Sequence, residues 1–295
     1  MLTPPSSPFT RRRFLAGGTA LAGTALLGAC GKDSSDAAAT TTAASYSLAQ
    51  FFGGPMFVAG RPVRAPFGVA DVDGLLPLDR TPTELEVQLV GPDGTELGEP
   101  IRVPRHADGL PRPYFPLLAT IERAGIYSAR TTIHDVPAEM QFQVNDASEV
   151  QVIQVGQPLP RLETPTTTDA HGVNPICTRD PVCPLHDMTV AQVVEERKPL
   201  ALLVASPAFC QIAICGPVLD VLLDVRSEQP AVQFVHVEVY ADPAKDLTTY
   251  APAIEPLGLH FEPCLVLADS EGTVVDRVDT IFDRSELRER LSKLA

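Results

Sequence analysis

Residues 199–205 (Pro199, Leu200, Ala201, Leu202, Leu203, Val204, Ala205) carry no polar side chain at any position. A strand with one wet face alternates, so this unbroken run predicts a central strand covered on both faces. Cys210 follows after Ser206, Pro207, Ala208 and Phe209. Val218, Leu219, Leu222, Leu223 and Val225 then recur near helical spacing. A strand at 232–239 is expected next, then a polar, partly helical stretch at 242–257. Pro263 opens a further apolar run at 264–268. Ser270, Glu271 and Gly272 turn the chain into a strand at 273–278, and a capped helix begins near Ser285 and runs to Leu294.

The first thirty residues speak to compartment. Arg11, Arg12 and Arg13 precede an apolar run at 15–29, which is shorter than the ~20 residues a spanning helix needs. It ends in Leu27, Gly28, Ala29 and Cys30. That layout is a signal peptide, 1–29. Its ending resembles the bacterial lipobox, which implies a lipidated Cys30 as the new N-terminus, and the arginine cluster with Phe14 and Leu15 resembles a twin-arginine export signal. The expected location is therefore the cell envelope, on the outer face of the cytoplasmic membrane, held by the lipid anchor. Residues 30–45, rich in Ser, Ala and Thr, read as a flexible tether.

Basic residues number 23 against 37 acidic ones, a formal charge of −14; loss of 1–29 removes three arginines and no acid, giving −17. A surface so anionic repels phosphate backbones, so nucleic acid is not an expected partner.

Residues 46–147 alternate with period two, most clearly from Glu84 to Val90, and break at the turn residues Gly91, Pro92, Asp93 and Gly94. Further runs at 61–69, 99–103, 125–133 and 140–144 predict an all-β sandwich domain. The segment Gly125, Ile126, Tyr127, Ser128, Ala129 resembles the start of the sixth strand of immunoglobulin-like domains, with Ala129 where those domains keep a cysteine, so the resemblance implies architecture and a tyrosine corner but no function. Arg105 and His106 lie in a proline-rich loop that reads as a solvated connection.

Residues 148–295 resemble the thioredoxin superfamily in three features: Cys210 where a buried strand gives way to a helix, the aromatic Phe209 before it, and Pro263 where the family has its cis-proline. The resemblance implies a C-terminal α/β thioredoxin-like domain, with Cys210 as attacking cysteine, Cys215 as resolving cysteine and Pro263 shaping the backbone beside them. A thiol at a helix N-terminus has its thiolate stabilised by the dipole and unpaired N–H groups. The pair is Cys-x4-Cys, however, and residues five apart in a helix lie beyond ~7 Å, so the first turn must unwind to bond them. The family's buried aspartate is Val204 here, and Glu262 or Glu238 could take its place.

The same spacing also resembles a group of peroxiredoxins, although their hydroxyl and proline positions are occupied here by Pro207 and Leu203. Cys210 and Cys215 with His260 would suit Cu(I). Cys177 and Cys183 could close a second disulfide around Pro181, with four cysteines allowing three pairings. His171 and His186 near that loop miss two-and-two zinc spacing and read as solvated. Cys264 reads as core packing. The expectation is an exported, lipid-anchored thiol–disulfide oxidoreductase acting on protein thiols or disulfides without metal or cofactor. The alternatives are a thiol peroxidase, a copper-binding protein, or a non-enzymatic surface lipoprotein.

Overall fold

A computed structural model describes residues 45–294. Cys30, the signal segment and most of the tether lie outside the described residues. The first half is built of eight strands: β1 (Ser47–Gln50), β2 (Pro62–Asp71), β3 (Gly74–Leu75), β4 (Glu84–Val90), β5 (Glu96–Pro104), β6 (Phe115–Thr120), β7 (Gly125–Ile133) and β8 (Val136–Val144). They form two antiparallel sheets. One runs β1-β2-β3 with β6 also on β2, and the other runs β5-β4-β7-β8. Alternation explains the pairing of faces: Leu85, Val87 and Leu89 of β4 point inward with Ala138, Met140 and Phe142 of β8, against Val63, Ala65 and Phe67 of β2. Tyr127 Oη donates to Arg123 O at 2.8 Å.

The second half carries α1 (Val190–Glu195), β9 (Leu200–Val204), α2 (Cys215–Val225), β10 (Gln233–Val237), β11 (Cys264–Ala268), β12 (Val274–Asp279) and α3 (Arg284–Leu291). Its sheet runs β10-β9-β11-β12, with β9 and β10 parallel and the other pairs antiparallel. Both faces of β9 are covered, which is why its sequence has no polar position. Ala201 and Leu203 pack with Leu219 and Leu222 of α2 and Leu287 of α3. Leu200, Leu202 and Val204 pack the other way, onto Val190 and Val193 of α1 and Leu257.

The expected fold class requires correction. In place of a two-domain chain with an α/β thioredoxin-like C-terminal half, the described residues form one compact unit, mostly β, of three four-stranded sheets. Their α-helices are only 6, 11 and 8 residues long. The helix expected within 242–257 does not form. Pro243, Pro252 and Pro256 remove N–H donors there, and the Asp246 carboxylate instead accepts the Thr248 and Thr249 N–H groups at 2.8 and 2.7 Å, leaving only the 3-10 turn Glu255–Leu257. Strands β1 and β6 were not expected from the sequence; Pro113 and Pro116 interrupt the alternation around β6.

The loop holding Arg105 and His106 is also not a free connection. His106 Nδ1 lies 3.0 Å from Asp283 Oδ1, and the N–H groups of Ala107 and Asp108 donate to Asp283 Oδ2 at 2.9 and 3.0 Å. Beside them, Arg64 of β2 donates to both carboxylate oxygens of Glu286 on α3 at 2.6 and 2.7 Å and to Asp279 O at 2.8 Å, while Tyr114 Oη donates to Glu286 at 2.5 Å. Burial alone would raise the Glu286 pKa, but the charge and hydrogen bonds of Arg64 win and hold it at about 2.

Removing one partner of a buried pair strands the other, at about 3–5 kcal/mol. Arg64→Met is expected to lose about that much in urea unfolding, and the double variant Arg64→Met/Glu286→Leu to recover most of it. A single variant within about 1 kcal/mol of wild type would show that the pair is dispensable. Because the folded Glu286 pKa lies below its ordinary value, its contribution is full above about pH 4.5 and is lost as pH falls through about 2.

Candidate active site

Strand β9 ends at Val204, and Ala205 still pairs with Val237 O. Ser206 then turns the chain. Its N–H donates to Glu262 Oε2 at 2.6 Å and its Oγ accepts the Val239 N–H at 2.9 Å, so the start of the loop is fixed from both neighbouring strands. Cys210 lies in that loop and Cys215 is the first residue of α2; the two form a disulfide with alpha carbons 5.9 Å apart. The expected placement of Cys210 at the helix N-terminus is corrected by one loop: Cys215 holds that place. Ala213 has a left-handed backbone (φ 55°), which no α-helix can contain, and Pro217 fits the first turn, where its missing N–H costs nothing. The segment between the cysteines is thereby freed from helical geometry, and the bond can form.

The two sulfurs differ in access. Cys210 is half-buried and followed by the exposed Gln211 and Ile212, whereas Cys215 is fully buried. The helix cap Ile214 offers no side-chain acceptor, so the first-turn N–H groups and the positive end of the dipole face the Cys215 end. Cys215 Sγ also lies 3.5 Å from Glu262 Oε2. Burial raises the Glu262 carboxyl to about 7, and nearby Glu238 adds to this, against the Ser206 N–H and His236, which lower it. The carboxyl can therefore take or give a proton near neutral pH.

A cleft of about 420 Å³ is lined by Phe52, Ile212, Tyr240, Tyr250, His260 and Glu262 among others; Glu262 and the loop residues after Cys210 join it to the disulfide, whose own two residues are not among its lining. Pro263 follows Glu262 through a cis peptide and leads into β11, its carbonyl accepting the Thr280 N–H at 2.8 Å. His260 lines the cleft, but the donor atoms gathered around the disulfide, all within 4.8 Å of one another, are those of Cys210, Cys215 and Glu262.

Cys177 and Cys183 are free thiols, not bonded to each other. Hydrogen bonding with Cys183 holds the Cys177 thiol well below its ordinary range, outweighing burial, with His186 and His236 adding to the effect. The expectation of a solvated His186 is corrected: it is buried, as is His236 of β10. His171 is partly exposed near Asp169 and stands apart from that group. Glu238, also raised by burial, accepts from Thr178 N at 2.6 Å and Thr178 Oγ1 at 3.1 Å. Cys264 is sealed in the sheet 3.6 Å from Asp279, and burial pushes its thiol up. Sequence reasoning missed His236; its signal was a lone imidazole inside an otherwise apolar strand, Phe234 to Val237.

No family model matches the chain, and no curated protein matches it in sequence. Among solved structures, one similar chain is titin M4 in a trigonal form, at 15% identity, covering 35% of this chain and 95% of that one with a TM-score of 0.21. At that score the likeness carries no argument. Among the described residues, no helix is long and apolar enough to cross a membrane.

The raised Glu262 pKa has a stability consequence with a definite sign. A carboxyl held neutral in the folded state stabilises below about pH 4.5, and that contribution is lost as pH rises through about 7. Glu262→Gln, neutral throughout, is expected to melt about 2–4 °C above wild type at pH 8.5, the equivalent of about 1 kcal/mol in a chain of this size, and level with it at pH 4. A melting curve at pH 8.5 no higher than wild type would contradict the assignment.

Proposed function

We propose that the chain is a thiol–disulfide exchange enzyme of the cell envelope, lipid-anchored through Cys30, with protein thiols or disulfides as partners. The observation that carries this reading is the asymmetry of the pair: one sulfur half-buried in a loop whose next two residues, Gln211 and Ile212, line a cleft, the other sealed at a helix N-terminus beside a carboxyl poised near neutrality.

In the reducing direction, the Cys210 thiolate attacks a partner disulfide; a mixed disulfide forms and one partner thiolate leaves. Glu262 takes the Cys215 proton, the Cys215 thiolate attacks Cys210 Sγ, and the second partner thiolate leaves as the Cys210–Cys215 bond closes. Two electrons pass from the pair to the partner. The reverse sequence oxidises a partner dithiol. The apolar walls of the cleft, Phe52, Ile212 and Tyr250, suit an extended peptide segment around the partner sulfur. Peroxide reduction has less support, since Pro207 stands where a hydroxyl would orient the peroxide. Copper binding has less as well, since the third donor at the pair is a hard carboxylate in place of an imidazole.

The test is exchange with a fluorescent disulfide-linked peptide. Cys210→Ser is expected to abolish turnover, and Cys215→Ser to trap the peptide on Cys210 as a mixed disulfide visible by mass spectrometry. Glu262→Gln is expected to slow exchange at least tenfold at pH 7.5 and to remove the rise in rate across pH 7, because the base form of Glu262 is populated only above its pKa. Turnover by Cys210→Ser at the wild-type rate would sink the reading.

A further inference from the structure

Away from the disulfide, Cys177, Cys183, His186 and His236 bring four donor atoms within 4.8 Å of one another, and all four residues are buried. Cys183 Sγ lies 3.3 Å from His186 Nε2 and 3.4 Å from His236 Nδ1. Around a tetrahedral zinc with bonds of about 2.3 Å to sulfur and about 2.05 Å to nitrogen, sulfur and nitrogen stand about 3.5 Å apart, so these separations are close to the edges of such a tetrahedron.

The hydrogen-bond pattern points the same way. His236 Nε2 lies 2.9 Å from Ala205 O, and a carbonyl only accepts, so Nε2 carries a ring hydrogen; in the neutral ring the Nδ1 lone pair then faces the sulfurs. A backbone carbonyl holding the outer nitrogen of a histidine is the usual second support of a metal-binding imidazole. His186 faces Cys183 through Nε2, and its outer Nδ1 is buried with no hydrogen-bond partner among the described residues, so of the two imidazoles His236 is the one with that support. A Cys177–Cys183 disulfide would leave the inward Nδ1 of a neutral His236 facing sulfurs with no hydrogen to give, an expensive arrangement for a sealed polar atom. A divalent cation satisfies all four donors, and two thiolates make the site neutral, which is the form in which charge is cheapest to bury.

We propose that Cys177, Cys183, His186 and His236 form a closed structural site for a zinc-type divalent cation, separate from the redox pair. Each ion bound displaces the protons that the two thiols and two imidazoles hold among them on the ligand atoms, and forms two metal–sulfur and two metal–nitrogen bonds, with no electron transferred. With four protein ligands and no open position, the site is structural. It fastens 177–186 onto β10. Thr178, next to the first ligand, accepts the Ala208 N–H at 3.1 Å and donates to Glu238, so the ion also steadies the loop that carries Cys210.

The test loads the reduced chain, without its signal segment, with Zn²⁺ or Co²⁺ under anaerobic conditions. The expected result is one zinc per chain by elemental analysis and native mass spectrometry, and for cobalt the intense visible bands of a tetrahedral thiolate site. The Cys210→Ser/Cys215→Ser variant is expected to keep both signals, and Cys183→Ser and His236→Gln to weaken binding at least tenfold. Because the decisive readings are on wild type and on the redox-pair variant, a ligand variant that fails to fold does not rescue the idea. Wild-type chain that takes up no metal, that binds cobalt only octahedrally, that is recovered from the envelope with Cys177 bonded to Cys183, or that loses its metal with the redox pair overturns it. Failure of peptide exchange would leave this site standing, and failure of metal binding would leave the exchange reading standing.

Discussion

The bidentate pair between Arg64 and Glu286 decides how the two halves of the chain are used. Neither charge is exposed, so each is tolerable only with the other in place, and each comes from a different half: Arg64 from β2 and Glu286 from the first turn of α3. Asp283, the cap of that helix, receives the backbone of 107–108 at the same point, and Tyr114 reaches both residues through Glu286 Oε2 and the Asp283 N–H. The start of α3 is thus fixed by the strand half. Leu287 and Leu291 then pack with Leu219 and Leu222 of α2, the helix that begins at Cys215. The position of the sealed sulfur is set, through two helices, by an arginine about 150 residues earlier.

The strand half also supplies a wall of the site. Residues 50–54, from the end of β1 onward, line the cleft together with Tyr240 and Tyr250. Gly54 is required there for two reasons: its φ is +74°, and a Cβ on it would stand 2.6 Å from His260 Nε2. On the proposed exchange reading, a peptide segment lying in this cleft would touch both halves.

What the sequence disclosed and what it hid follow from which forces act locally. The apolar run 199–205 and the alternation of 84–90 are local records of burial, and each marks its strand to within a residue or so. The stretch 242–257 misled because its polar composition resembles an exposed helix while its prolines and the Asp246 turn decide otherwise. Cys210 and Cys215 were visible as a pair, but the helix start between them was not, since it depends on one left-handed residue, Ala213, that composition does not mark. Glu262 could be named only as one of two candidates, because proximity to Cys215 is created by β11 pairing with β9 across 60 residues. His236 showed as a lone imidazole in an apolar strand, but its neighbours could not be read for the same reason: they arrive from 177–186, which has no helix or strand of its own.

Two pairs of cysteines lie close in one small fold, and exchange chemistry carries an inherent hazard of scrambling between them. Burial is one safeguard, although Thr178 ties the loop of Cys177 to the loop of Cys210 through the Ala208 N–H. Coordination is a stronger one. A metal-held thiolate has its lone pairs engaged and its position fixed, and it attacks a neighbouring disulfide far less readily than a free thiolate of depressed pKa. If both proposals hold, the cation and the exchange centre are complementary: the first would keep the buried sulfurs silent, so that among the described residues a partner would meet Cys210, with this half-buried sulfur taking the partner and the sealed one, beside Glu262, releasing it.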